Sequence, residues 1–244
     1  MDLVDRRRLL QAGCAGLGLL LGGRVASGYQ PGKVERPARL SGRVRWAGRA
    51  GKPARLKLTG SCAYCLKHEL FAEDLVQSPS GGLRHVAVFL EGVQRGRELT
   101  AEVPVLAEHR CTFVPHVLTV TAGAKVLLHN QDPVLNTFHA VEVQGGRTLF
   151  NEGLPNRDQK LYRRIRREGL IKVLCDVHPW EVAYVVAFDH PYHTVSDAEG
   201  RFALEQIPAG RYSLGLWHEK LGGRRQTVEL APGAQLTIEI VYPA

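Results

Sequence analysis

Between Ile171 and Phe188 the chain runs strand, loop, strand with almost no slack. Ile171-Lys-Val-Leu174 climbs through aliphatic and β-branched residues to Cys175, His178 follows three positions later, and Val182 to Phe188 is a second β-rich run. Two strands joined by so short a connection pair with each other, and whatever the connection carries is presented at one end of the pair. A thiolate and an imidazole at Cys-x2-His spacing can converge on a single metal ion, and sulfur together with nitrogen suits copper or zinc.

The rest of the chain is punctuated in the same way. Leu40 to Trp46 alternates apolar and polar residues, a turn spans Gly48 to Pro53, and Arg55 to Leu58 completes a hairpin. Val86, Val88 and Leu90 share one face of a strand; Glu91 to Arg110 has little periodicity and reads as loop. Phe113 to Thr121, the Ala122-Gly123 turn and Lys125 to Asn130 form another hairpin, and Thr137 to Val143 a further strand. With 26 glycines and 13 prolines to set turns and no long helical period, the expected class is all-β. A length of 244 residues, 44% hydrophobic, accommodates two small domains with separate cores.

Cys175-Asp-Val-His178-Pro-Trp resembles the copper loop of the cupredoxins, especially the amicyanin-like branch, where Cys-x2-His-x2-Met supplies three of four ligands. The segment from Phe113 to Asn130 is similar to the paired strands that precede the first copper histidine of that family. The resemblance covers roughly residues 111 to 188 and implies a Greek-key β-sandwich with copper as cofactor and one-electron transfer as activity. Two positions depart from the pattern. Asn136 stands where the family has its first histidine, and Glu181 stands where it has the axial methionine. Asn136 and His139 are three apart, so a regular strand points them to opposite faces. Either Asn136 occupies the family position and that ligand is lost, or the loop is re-registered and His139 takes the role. Glu181 is either an axial oxygen, which would favour the oxidised ion, or an exposed glutamate at a strand start. His116 is either a substitute or supporting histidine of the site or a hydrogen-bonded structural one.

Ser61-Cys-Ala-Tyr-Cys-Leu-Lys-His68 carries two cysteines and a histidine, but the c-type haem pattern needs histidine directly after the second cysteine, where Leu66 stands. In an oxidising compartment, Cys111 is expected to pair with Cys62 or Cys65 and leave one thiol over. Copper or zinc handling through Cys62, Cys65 and His68 is the other reading of this segment. Beyond Val186, Ser-Asp-x-x-Gly-x-Phe and Ile-Pro-x-Gly-x-Tyr resemble the carboxypeptidase regulatory-like domain, which implies a small transthyretin/Ig-like β-sandwich. The whole layout is similar to exported bacterial proteins labelled methylamine-utilisation or plastocyanin-like.

Arg6-Arg-Arg-Leu-Leu10, an apolar run to Gly23 and Val25-Ala-Ser27 read as a twin-arginine-like export signal over residues 1–27. The expected divisions are this signal, a linker and N-terminal hairpin at 28–60 that either stands alone or joins the last sandwich, a cupredoxin-like domain at 61–188, and the carboxypeptidase regulatory-like sandwich at 189–244. Removing residues 1–27 takes four arginines and two aspartates from a formal charge of +8, leaving +6. A basic, exported protein points to a periplasmic location, an acidic redox partner and no nucleic acid, with no stable membrane span once the signal is cleaved. The densest cluster, Lys160 to Arg167, reads either as a charged edge strand or as a docking patch. No nucleophile triad or carboxylate pair is legible in the spacing, so no enzyme is expected. The reading is a copper-binding one-electron carrier with ligands Cys175, His178, His139 and Glu181; the alternative is a metal-free scaffold that has lost the site.

Overall fold

A computed structural model describes residues 28–58 and 62–244. The export signal expected at 1–27 lies outside them. Among the described residues the only helical element is a 3-10 turn at Cys65–Lys67, and no helix is long and apolar enough to cross a membrane. The protein is all-β, built of stacked sheets, as its turn-rich composition implies.

One sandwich occupies the middle of the chain. A five-stranded sheet runs in the order Thr148–Leu154, Asn136–Glu142, Gly169–Leu174, Val182–Phe188, Val117–Thr121. Facing it is a four-stranded sheet of Gln159–Arg164, Lys125–Asn130, Val105–Glu108 and Phe113–Val114. Alternation drives inward residues such as Val126, Leu128, Phe138, Ala140, Ile171 and Val173 into a common core. Gly169–Leu174 and Val182–Phe188 pair antiparallel from Gly169↔Ala187 to Leu174↔Val182, which places Cys175 and the loop after it at the open end of the sandwich. The basic Gln159–Arg164 strand pairs only with Lys125–Asn130 and is an edge, with alternate side chains exposed.

The second sandwich recruits both flanks of the first. Ala38–Trp46 pairs antiparallel with Arg201–Ile207 and parallel with Gln235–Tyr242. It does not form the hairpin expected with 55–58; Leu56 instead donates its N–H to Leu70 O at 2.8 Å. Ala87–Glu91, expected within 61–188, pairs with Gly210–His218 and His193–Val195. The reason lies in its two apolar faces. Val88 and Leu90 enter the core of Leu40, Val44, Phe202 and Leu216, while Ala87 and Phe89 meet Val117, Val186 and Phe188 of the first sandwich. A strand buried on both sides is satisfied only at a junction, and Phe89 meets Phe188 there with ring centroids 4.6 Å apart.

A fourth apolar cluster roofs the open end of the first sandwich. Leu56, Leu58, Cys62, Tyr64, Cys65 and Leu70 pack on Cys111 and Trp180.

Candidate metal centre

Cys175 is held where a strand ends. Its Sγ is 3% exposed as a residue and lies 3.4 Å from Thr137 N, a backbone donor from the neighbouring strand. The loop that follows is closed by its own backbone: Glu181 N donates to His178 O at 2.9 Å, and Cys175 N approaches Glu181 O at 3.4 Å. Asp176 N donates to Thr137 Oγ1 at 2.6 Å, tying the loop to the strand below. This geometry turns His178 inward, with Nδ1 3.6 Å from Cys175 Sγ and 3.3 Å from Glu181 Oε1.

Cys175, His178 and Glu181 offer one donor atom each within 4.8 Å of one another, and all three residues are buried. Glu181 is thus not the exposed glutamate that a strand start allows. Neither of its carboxylate oxygens has a hydrogen-bond partner; the approach of His178 Nδ1 is a contact of charges without hydrogen-bond alignment. Burial alone would lower the His178 pKa, but its approach to the Cys175 sulfur and the negative charge of Glu181 beside it outweigh that and push the ring up to about 10.

A further buried carboxylate, without an obvious sequence signal, feels the charges of this cluster. Glu108 ends the strand Val105–Glu108, in a stretch read from sequence as loop, and is fully buried with both oxygens unpartnered. Burial, then the negative charge of Glu181 and Cys175, pushes its carboxyl well above the usual carboxylate range. Glu108 is thus a second buried carboxylate, within reach of the charges of Glu181 and Cys175, that sequence spacing did not reveal. Buried acids without donors are rare unless they share a proton or face a cation. The donor set of one thiolate, one imidazole and the Glu181 carboxylate fits a borderline ion such as copper or zinc.

Asn136 is fully buried; its Nδ2 donates to Asn130 Oδ1 at 3.0 Å, while its Oδ1 has no partner. His139 is not brought into the cluster. Period-two alternation sends it to the other face of the strand, where its ring meets Asp176 Oδ1 at 2.9 Å and Thr148 Oγ1 at 3.0 Å. His116 is also elsewhere. It hydrogen-bonds Glu219 and lies against His85, ring centroids 5.0 Å apart, at the junction of the two sandwiches.

Above the loop, Cys65 is disulfide-bonded to Cys111, and Cys62 is a free thiol. His68 is not part of this group; its ring packs edge-on against Tyr64, centroids 4.9 Å apart. The histidine that Cys62 and Cys65 do meet is His178. The roof is fixed by Asp132, which accepts from Arg110 N and Cys111 N, each at 2.7 Å, and from Tyr64 Oη at 3.0 Å. No sequence spacing announces these roof contacts, because they join segments distant in the chain.

No protein-family profile and no curated protein sequence matches the chain. Similar solved structures include cupredoxins at low coverage. The purple cupredoxin from Nitrosopumilus maritimus is 24% identical over 35% of this chain and 99% of its own, with a TM-score of 0.32. Amicyanin from Paracoccus versutus is 17% identical over 37% of this chain and 86% of its own, with a TM-score of 0.31. The copper-containing nitrite reductase from Thermus scotoductus SA-01 is 20% identical over 39% of this chain but only 24% of its own, with a TM-score of 0.32.

Proposed function

We propose that this chain is an exported copper-binding protein that passes single electrons to a redox partner, with Cys175, His178 and Glu181 as ligands and Glu108 beside them. The observation that carries the reading is the buried convergence of thiol, imidazole and an unpartnered carboxylate within 4.8 Å. A bound copper ion would supply the one-electron couple. The protein's part is to hold the donors: the strand end fixes Cys175, the Thr137 N–H offsets charge on its sulfur, and the backbone-closed loop orients His178. Carboxylate in place of thioether stabilises the oxidised ion and lowers the potential. The net positive charge of the chain favours an acidic partner.

The test is a copper titration of the metal-stripped protein with visible absorption and metal analysis on one sample. One equivalent, with a thiolate-to-copper band lost in Cys175→Ser, supports the carrier. A folded protein with no stoichiometric copper refutes it and leaves the second reading, a metal-free scaffold. That second reading is favoured by Asn136, which stands where an imidazole ligand is expected and whose Nδ2 is tied to Asn130 Oδ1.

A further inference from the structure

His178 has two ring nitrogens, and they look in different directions. Nδ1 faces Cys175 and Glu181. Nε2 faces the roof, 3.7 Å from Cys65 Sγ. Cys62, Cys65 and His178 bring one donor atom each within 4.8 Å, as do Cys65, Cys111 and Glu181. Cys62 and Cys65 therefore gather on the Nε2 side of the ring, and Cys111, bonded to Cys65, brings a third sulfur against Glu181 beside them. We propose that these form a second, redox-gated metal site, in which the reduced Cys62, Cys65 and Cys111 take a soft d10 ion, Cu(I), together with His178 Nε2.

Thiolates with one imidazole are a donor set for a soft or d10 ion. The disulfide keeps the site closed, because Cys65 and Cys111 are bonded to each other and lack anionic sulfur. Both are fully buried, so a reductant cannot reach them directly, but Cys62 is partly exposed and its Sγ lies 3.2 Å from Cys65 Sγ. Opening proceeds in two steps. The Cys62 thiolate forms a bond to Cys65 Sγ, the Cys65–Cys111 bond breaks, and its electron pair stays on Cys111, which takes a proton; nothing is oxidised overall. An external dithiol then attacks Cys62 Sγ, breaks the Cys62–Cys65 bond and closes to its own disulfide, leaving Cys62 and Cys65 as thiols. The dithiol is oxidised by two electrons, and the protein is reduced by two. Cu(I) then displaces thiol protons, released to solvent, and binds His178 Nε2; when the site below is also filled, the ring's remaining proton is released as well and His178 bridges the two sites as imidazolate. The second site uses His178 in common with the copper site proposed above but does not require that site to be filled.

The test uses the full chain, oxidised or reduced by a dithiol that is then removed, titrated anaerobically with Cu(I) carried as its acetonitrile complex. Native mass spectrometry counts the bound ions, and thiol titration counts free cysteines. The expected result is one more Cu(I) per chain in the reduced than in the oxidised protein, with the extra ion lost in Cys62→Ala. That variant keeps the Cys65–Cys111 disulfide, so near-ultraviolet circular dichroism of its oxidised form checks its fold. Equal stoichiometry before and after reduction overturns the proposal, and so does an extra ion that Cys62→Ala retains. An oxidised protein that binds no copper, followed by one Cu(I) on reduction that needs Cys62, would refute the carrier reading alone and leave the second site standing.

Discussion

Asp132 is the bracket that holds the roof, and its removal has a cost that can be worked from its bonds. The residue is fully buried and accepts two backbone donors at 2.7 Å, from Arg110 and Cys111, and a third from Tyr64 Oη at 3.0 Å. Arg110 and Cys111 both sit in the left-handed region, at φ of 53° and 59°, a turn that side chains other than glycine enter only when something compensates. Asp132→Ala leaves these two N–H groups without an acceptor. A buried donor left unpaired, here the Cys111 N–H, costs about 1–3 kcal/mol, and the Arg110 N–H, on an exposed residue, can turn to water and costs less, so the change removes about 2–4 kcal/mol from a total that for ordinary domains is about 5–15 kcal/mol. Asp132→Asn keeps one oxygen but turns an amide toward the other N–H, and should cost roughly half as much. Urea denaturation followed by circular dichroism and tryptophan fluorescence reads both variants. Trp180 is a local reporter, since its Nε1 donates to Cys111 O at 3.2 Å. The reasoning is refuted if the alanine variant loses less than about 1 kcal/mol, below the cost of one unpaired donor, or if the asparagine variant matches the parent.

Three further predictions follow from buried groups elsewhere. Burial pushes His218 down to about 4 and His193 to about 3, so the unfolded chain binds protons near pH 6.5 that the folded one refuses. Their contribution to stability is then full above about pH 6.5 and is lost as pH drops toward 4, by about 3 kcal/mol for His218 alone; thermal melts of the parent and His218→Gln should diverge across that window, and parallel curves would refute it. Gly200→Ala should cost about 2 kcal/mol or more, because φ is +76° and a Cβ would press on Val44 O and stand 2.8 Å from Leu83 N; a melting point unchanged by the substitution would contradict this. Asn136→His should add a second imidazole beside Cys175 and strengthen the thiolate-to-copper absorption of the copper-loaded protein, at a stability cost of about 1–3 kcal/mol for overpacking a fully buried position; an unaltered spectrum would show that position 136 does not face the ion.

The strands were legible wherever one face is buried and the other wet. Val126 and Leu128, or Phe138 and Ala140, announce themselves by period two. Asn136 and His139 separate by the same rule, which is why only one of them can look into the sandwich. Partner choice was not legible. Nothing in Leu40 to Trp46 says that it pairs with 201–207 and 235–242 rather than with its neighbour in sequence, because apolar alternation fixes a face and not a companion. Glu108 escaped because it stands among residues with little periodicity, and burial of a carboxylate is a property of the surrounding fold. The Cys-x2-His spacing was visible, but the roof over His178 was not, since Cys62 and Cys65 reach it through tertiary packing alone.

The two sandwiches also differ in when they can be made. All the strands of the first lie between Val105 and Phe188, so every pairing it needs is at hand once that stretch has left the ribosome. The second pairs Arg39 with Gln235, and its Ala38–Trp46 strand must wait, half covered, through nearly the whole of synthesis. Such widely separated contacts form late and slowly. A waiting strand with an open edge and an apolar face is the part of this chain most in need of a chaperone, and the metal centre would already be shaped before that strand finds its companions.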